Sequence, residues 1–165
     1  MAQHDDARLT DLARQLSAAL VSHHLRLATA ESCTGGWIAK ILTDLPGSSD
    51  WYEGGWVTYS NGLKERLLGV RRETLDGYGA VSAETVAEMV SGALAHGDCD
   101  RSIAVSGIAG PSGGSPEKPV GLVWIGWGAR EGEPEIERFD FAGDREAVRR
   151  AAVAAALRGM RDRLC

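Results

Sequence analysis

Thr29-Ala30-Glu31-Ser32-Cys33-Thr34-Gly35-Gly36 is the stretch that decides the fold, because it joins two segments with different hydrophobic periods. Residues 25–30, which lead into this stretch and include its first two residues, alternate as in a β-strand. After it, from Trp37 onward, apolar residues recur at helical spacing. The sequence therefore predicts a strand, a tight turn and a helix, the repeating unit of α/β proteins.

The rest of the chain repeats this alternation. Helical periodicity predicts further helices at 6–22, 62–68, 83–96 and 145–164. Strand-like runs occur at 56–60, 101–105, 120–127 and 136–141. We predict that Asn61, Ser82 and Asp144 cap the helices that follow them. The predicted fold is a three-layer α/β/α sandwich on a mixed, mostly parallel sheet with a late antiparallel hairpin, in one domain spanning residues 1–165.

Composition narrows the classes of partner. With 165 residues and a formal net charge of −5, the chain has the size of one domain and no general attraction for nucleic acid or an anionic membrane. No apolar run is long enough to cross a bilayer, and the polar residues 1–6 do not resemble a signal peptide, so we expect a cytoplasmic protein. Cys33, Cys99 and Cys165 form no C-x-x-C pair and are expected to be reduced thiols.

The turn after the first strand is the first candidate site. Ser32, Cys33 and Thr34 stand at a helix start, where free amides favour an anion or an oxyanion, and Gly35 and Gly36 allow a ligand close to the backbone. The same residue types are also typical of ordinary helix capping. The turn alone therefore does not decide between catalysis and capping.

Cofactor and metal chemistry find no support in the sequence. Neither the G-x-G-x-x-G nor the G-x-x-x-x-G-K-[ST] phosphate motif is present, which disfavours a dinucleotide dehydrogenase or a kinase. The histidines show no spacing typical of a zinc site. We expect a reaction that uses neither a cofactor nor a metal.

A serine nucleophile needs a base, and Lys64 is the candidate, shortly after the predicted second strand. Tyr59, five residues earlier, is expected to reach the same pocket. Lys40 is expected on the exposed face of its helix and Lys118 in a mobile loop, so both are weaker candidates. Cys33 remains a rival nucleophile, because a helix N-terminus lowers the pKa of a thiol.

A glycine-rich loop is the candidate anion site. Residues 106–119, with Ser106, Gly107 and Gly110, offer backbone amides to a phosphate or an oxyanion, although the composition is also typical of a flexible surface loop. Arg145, after the cap Asp144, is a candidate for a forked contact with a phosphate.

Five segments together resemble the CinA C-terminal domain family. They are the opening stretch, Val57-Thr58-Tyr59-Ser60-Asn61, Gly79-Ala80-Val81-Ser82, Ser106-Gly107-Ile108-Ala109-Gly110-Pro111 and Lys118-Pro119-Val120-Gly121. The resemblance implies metal-free hydrolysis of the carboxamide of nicotinamide mononucleotide to nicotinic acid mononucleotide and ammonia, by a homo-oligomer. It places the nucleophile at Ser32 and the activating groups at Lys64 and Tyr59. Many relatives have Thr where this chain has Ser106, which retains the hydroxyl.

Two other functions stay open at this point. One is a non-catalytic nucleotide-binding or regulatory module that keeps the fold and the glycine-rich segments. The other is an amidase acting on a related pyridine nucleotide amide. The site residues expected to contact substrate are Cys33, Thr34, Gly35, Gly36, Ser106, Gly107, Gly110 and Arg145.

Overall fold

The computed structural model describes residues 5–165, so the prediction about a signal peptide falls partly on residues 1–4, which lie outside the described part. Within that part, five strands form one sheet in the order β2-β1-β3-β4-β5. Strand β1 pairs in parallel with β2 and β3, whereas β4 is antiparallel to both β3 and β5. The mixed sheet and the late hairpin are confirmed. The strands are β1 (Leu27–Glu31), β2 (Tyr52–Val57), β3 (Arg101–Gly107), β4 (Leu122–Ala129) and β5 (Glu135–Asp140).

Helices cover both faces of the sheet. They are α1 (Asp6–Ser22), α2 (Trp37–Thr43), α3 (Asn61–Leu68), α4 (Arg72–Tyr78), α5 (Ala83–His96) and α6 (Arg145–Asp162), with a short 3₁₀ turn at Ser48–Asp50. One core joins α1, α2 and α6 to one face of the sheet, around Leu16, Ile38 and Val153. The other core joins α3, α4 and α5 to the opposite face, around Met89 and Val90. The three-layer architecture is therefore confirmed.

Helix caps explain where several helices begin. Ser82 and Asp144 accept hydrogen bonds from the amides of Thr85 and Ala147, as predicted. At α3 the prediction is wrong by one residue, because Ser60, not Asn61, accepts the hydrogen bond from the Leu63 amide. Each of these capping side chains accepts a hydrogen bond from an amide in the first turn of its helix.

The second strand lies earlier than its composition indicates. Residues 56–60 were expected to form it, but β2 is Tyr52–Val57 and the chain leaves the sheet at Thr58. Glycine is depleted in β-strands, so a segment that contains Gly54 and Gly55 does not have the composition of a strand. Yet Gly55 is needed here, since a Cβ on it would lie 2.3 Å from the Thr29 Oγ1 atom of the neighbouring strand. Helix α4 was also not predicted.

The order of the strands places a crevice at the end of β1. From β1 the chain crosses to β2 on one side and later returns to β3 on the other. In such sheets ligands bind beyond the carboxyl ends of the strands, at the point where the direction of winding reverses. The segments that leave these ends begin with Ser32, Thr58 and Ile108.

Among residues 5–165 no helix has both the length and the apolar character of a membrane span.

Candidate active site

A cavity of about 260 Å³ lies at this edge of the sheet. It is bordered by the residues that follow β1, β2 and β3 and by the start of α6. Arg145 is a cation in its wall, Lys64 adds a second positive charge when it is protonated, and among residues 5–165 no carboxylate lines the cavity. The lining consists of Ser32, Cys33, Tyr59, Lys64, Ala80, Val81, Ser106, Gly107, Ile108, Ala109, Gly110, Ser112, Gly113 and Arg145. Its charge suits an anionic ligand.

Lys64 is fully buried in the first turn of α3 and reaches the end of β1. Its Nζ atom lies 3.0 Å from Ser32 Oγ, 2.6 Å from the Thr58 carbonyl oxygen and 3.5 Å from the Tyr59 carbonyl oxygen. No carboxylate among residues 5–165 forms an ion pair with it. Burial lowers the pKa of Lys64 from 10.5 to about 8.

The partners of Lys64 orient its amine. A neutral amine has two N–H groups and one lone pair, whereas a carbonyl oxygen only accepts hydrogen bonds. The carbonyls of Thr58 and Tyr59 therefore take the two N–H groups. The lone pair of the neutral amine is then left for the Ser32 hydroxyl, whereas the protonated amine donates to that hydroxyl.

Ser32 is held by its backbone at the start of the serine turn, residues 32–36. Its amide donates to the Val105 carbonyl at 3.0 Å, and its carbonyl accepts from the Gly35 amide at 3.0 Å. Its side chain is only 8% exposed, but it borders the cavity. The hydroxyl is thus fixed between the buried amine and the cavity.

Cys33 is a poor nucleophile in this environment. The side chain is buried, and this burial raises the pKa of the Cys33 thiol to about 12. The thiolate is the reactive form of cysteine, and a raised pKa lowers the fraction of Cys33 in that form near neutral pH. The predicted effect of the helix N-terminus on this thiol is therefore overcome by desolvation.

Glu31, which the sequence analysis did not select, holds the other side of the serine turn. Its buried carboxylate accepts from Thr34 Oγ1 at 2.7 Å, from the Ile38 amide at 2.8 Å and from the Ala39 amide at 3.0 Å. It thereby caps α2, whose N-cap Gly36 has no side chain to do so. The sequence feature that could have identified this residue is a glutamate at the end of a buried strand.

This cap changes the expectation for the helix start. The anion predicted to bind there is supplied by the chain itself, through Glu31. Thr34, Gly35 and Gly36 were expected to contact substrate, but they do not line the cavity. Gly35 and Gly36 instead have positive φ angles of 60° and 93°, which shape the turn.

Tyr59 and Arg145 meet at the mouth of the cavity. Tyr59 is 60% exposed, and its hydroxyl accepts a hydrogen bond from Arg145 Nη2 at 3.1 Å. Arg145 Nη1 donates to the Gly110 carbonyl at 2.8 Å. In the described part of the chain, no hydrogen bond joins the Tyr59 hydroxyl to Ser32 or Lys64. The phenol lies in the pocket, as predicted, but beside the guanidinium.

The loop after β3 completes the wall. The Ser106 hydroxyl donates to the Ala80 carbonyl at 2.8 Å, so it connects β3 to the segment before α5. Gly107, the last residue of β3, and Gly110, in the loop, both line the cavity, and their contact with substrate stays a prediction. Gly110 has a φ of 81°, and a Cβ on it would lie 2.4 Å from Val120 Cγ1. This position requires glycine.

The two rival lysines have other contacts. Lys40 pairs with Asp44 at 2.6 Å on the exposed face of α2, as predicted. Lys118 is not free in its loop, because its ammonium donates to the Tyr78 carbonyl at the end of α4. Neither lines the cavity. In residues 5–165 no group of His, Cys, Asp and Glu side chains is arranged to hold a metal ion.

Comparison with known proteins connects this geometry to a family. The CinA C-terminal domain matches residues 9–164. Nicotinamide-nucleotide amidohydrolase PncC of Escherichia coli (strain K12) is 52% identical over 152 residues, which cover 92% of this chain and 92% of that protein. The protein of the same name from Pseudomonas putida is 52% identical over 153 residues, covering 92% of this chain and 94% of that protein.

A solved structure shows the same fold. The crystal structure of the competence damage-inducible protein A (ComA) from Klebsiella pneumoniae matches with a TM-score of 0.91 at 44% identity, covering 94% of this chain and 96% of that one. All of the residues that line the cavity lie inside the range matched by the CinA C-terminal domain.

Proposed function

This chain belongs to the CinA C-terminal domain family, and from that membership we propose that it hydrolyses the carboxamide of nicotinamide mononucleotide to nicotinic acid mononucleotide and ammonia. The observation that carries the proposal is the buried Lys64 amine, 3.0 Å from the Ser32 hydroxyl. Relatives that are 52% identical over most of their length are named for this activity. The Arg145 guanidinium in the cavity wall, where residues 5–165 place no carboxylate, supports a phosphorylated substrate.

The first half of the reaction forms an ester. Neutral Lys64 takes the proton of Ser32 as the oxygen attacks the carboxamide carbon, which gives a tetrahedral intermediate. Protonated Lys64 then gives that proton to the departing nitrogen, the carbon–nitrogen bond breaks, and ammonia leaves. The nicotinoyl group is now bonded to Ser32.

The second half reverses the proton path. A water molecule gives a proton to Lys64 and attacks the ester carbonyl, and the bond to Ser32 breaks as the serine recovers its proton. The products are nicotinic acid mononucleotide and the free enzyme. Lys64 serves both halves because its pKa of about 8 keeps both protonation states accessible near neutral pH.

The developing oxyanion needs donors, and the serine turn supplies them. The amides of Gly35, Ile38 and Ala39 are already bonded within the protein. We therefore assign the oxyanion to the amides at the start of the turn, foremost that of Cys33, whose residue lines the cavity. This narrows the donor set expected from the sequence.

The phosphate is proposed to bind at Arg145, together with Ser106 and the backbone at Gly107 and Gly110. All four residues line the cavity. Binding would exchange the contact of Arg145 with Gly110 or Tyr59 for a forked contact with phosphate oxygens. In this assignment Tyr59 contacts substrate, and its predicted part in proton transfer stays a prediction.

The test is a substrate panel with the purified protein. Nicotinamide mononucleotide should yield ammonia and nicotinic acid mononucleotide in equal amounts. Nicotinamide riboside, which lacks the phosphate, should react with a much lower kcat/KM. Tight binding of nicotinamide mononucleotide without ammonia would instead identify a binding module, and preference for another amide would identify a different amidase.

The single domain, cytoplasmic location and homo-oligomeric state stay predictions from the sequence. Light scattering of the purified protein measures the last of these. A mass of one chain would contradict it.

A further inference from the structure

The serine turn is held by a side chain from the far end of the protein. Arg149, in α6, donates from Nε to the Cys33 carbonyl and from Nη2 to the Thr34 carbonyl, both at 3.0 Å. These carbonyls belong to the Cys33–Thr34 and Thr34–Gly35 peptide groups, which come directly after the Ser32–Cys33 peptide group. A guanidinium suits this task because its planar fork presents two parallel donors.

Glu31 and Arg149 hold the same turn, one as a hydrogen-bond acceptor and the other as a donor. The Glu31 carboxylate accepts hydrogen bonds from two amides that follow the turn. The Arg149 guanidinium donates hydrogen bonds to two carbonyl oxygens within the turn. The hydrogen bonds of Ser32 with Val105 and Gly35 add to these contacts. None of these groups reacts, yet together they fix the backbone on which Ser32 stands.

Peptide geometry gives the Arg149 contacts a further consequence. In a trans peptide the C=O of one residue and the N–H of the next point in opposite directions. By holding the Cys33 carbonyl, Arg149 fixes the direction of the Thr34 amide and holds the peptide group next to the one that carries the Cys33 amide, the foremost oxyanion donor. Donors that are oriented before the reaction stabilise an oxyanion most, because they need no reorganisation as charge develops.

We propose that Arg149 is a positioning residue for the reaction at Ser32. It orients the peptide groups after the nucleophile and so keeps the Ser32 hydroxyl and the oxyanion donors in reacting geometry. Arg149 does not line the cavity, so it acts on the chemical step without touching substrate. The inference rests on the proposed amide hydrolysis.

Arg150 is a matched control beside Arg149. The guanidinium of each lies over the ring of Trp37, at 5.4 Å for Arg149 and 4.9 Å for Arg150. Among residues 5–165, Arg150 forms ion pairs with the carboxylates of Asp6 and Glu146, and no hydrogen bond joins it to the turn. Comparing Arg149→Met with Arg150→Met therefore separates the hydrogen bonds to the turn from the shared packing.

The experiment measures kcat and KM for nicotinamide mononucleotide with the full chain. For Arg149→Met we expect kcat to fall about 100-fold with KM changed less than about threefold, as for loss of preorganised transition-state stabilisation. Arg149→Lys, which retains a donor, should recover part of kcat. Arg150→Met should keep both constants within about twofold of the parent, the range of a surface substitution.

Hydrogen exchange of residues 33–37 completes the test, because it does not depend on turnover. Arg149→Met should speed exchange in this segment, and Arg150→Met should not. Unchanged exchange, or a kcat for Arg149→Met close to that of Arg150→Met, overturns the inference. If the parent released no ammonia, the proposed function would fail, and the exchange result would still decide whether Arg149 orders the turn.

Discussion

The serine turn and the glycine loop, residues 108–121, border the same cavity but are held very differently. The turn is bonded to Glu31, Arg149, Val105 and itself. In the loop, residues 111–117 are exposed; backbone hydrogen bonds join Ile108 to Gly121 and Leu122 at its base, and side chains attach it through Arg145 at Gly110 and Lys118 at Tyr78. One cavity thus combines a rigid edge suited to bond making with an adaptable edge suited to binding.

Lys64→Met should have the largest effect, because it removes the base at the rigid edge. We expect kcat to fall by roughly 10³-fold or more, since a nucleophile and its base act as one unit. KM should change little. A variant that kept a tenth of the parent kcat would remove Lys64 from the mechanism.

The same variant should unfold less readily than the parent. The folded-state pKa of Lys64 lies below its ordinary value, so burial of the charged amine costs stability below about pH 8, and the cost disappears as pH rises towards 10.5. Removing this cost should stabilise the fold by up to about 3 kcal/mol at pH 7, offset in part by the lost bond to Thr58. Urea unfolding at pH 7 and pH 10 measures it, and the gain should shrink at pH 10.

Arg145→Met tests the adaptable edge. A lost hydrogen bond to a charged group predicts a KM for nicotinamide mononucleotide about 30-fold higher with kcat nearly unchanged. Nicotinamide riboside should be affected much less, since it has no phosphate. Arg138→Met, on the exposed pair with Asp140, is the control. An equal loss with both substrates would place the phosphate elsewhere.

The pH dependence of kcat/KM tests the base at the rigid edge. Because the neutral amine of Lys64 is the base and its pKa is about 8, kcat/KM should rise with pH and level off above that value. At pH 7 it should reach about a tenth of the plateau. Arg145→Met should keep the same profile at a lower level. A profile that is flat or falls between pH 6.5 and 9 contradicts a lysine base.

Lys118→Met should have the smallest effect. It removes one bond between the glycine loop and the Tyr78 carbonyl, at a side chain outside the cavity. We expect KM to rise about threefold with kcat unchanged, since a single exposed hydrogen bond contributes little. Lys40→Met, away from the cavity, should show no change. A large fall in kcat would mean that the loop takes part in the chemical step.

Local patterns predicted the elements better than the contacts between them. The periodicity of residues 6–22 and 83–96 gave both helices with their observed bounds, because each helix has one buried stripe. Ser32 and Lys64 were placed together because both follow strands of one sheet. Strand β2 was predicted too late in the sequence. Its glycine at position 55 is required by a close approach to β1, and amino-acid composition does not reveal that contact.

The missed residues act across the fold. Arg149 reaches Cys33 over 116 positions, and nothing in its helix distinguishes it from Arg150. Glu31 is adjacent to Ser32, but its role depends on the bend that returns the amides of α2 to it. Tyr59 was placed by sequence distance from Lys64, whereas its hydroxyl is directed by Arg145. These features depend on tertiary packing.

The most direct test is ammonia release from nicotinamide mononucleotide by the parent, Ser32→Ala and Cys33→Ala, each shown to be folded. The two residues are neighbours on one turn, and only the Ser32 hydroxyl faces the Lys64 amine. With Ser32 as the nucleophile, we expect the parent and Cys33→Ala to release ammonia at similar rates, while Ser32→Ala releases almost none. Activity in Ser32→Ala with loss in Cys33→Ala would contradict this assignment and identify the thiol as the nucleophile.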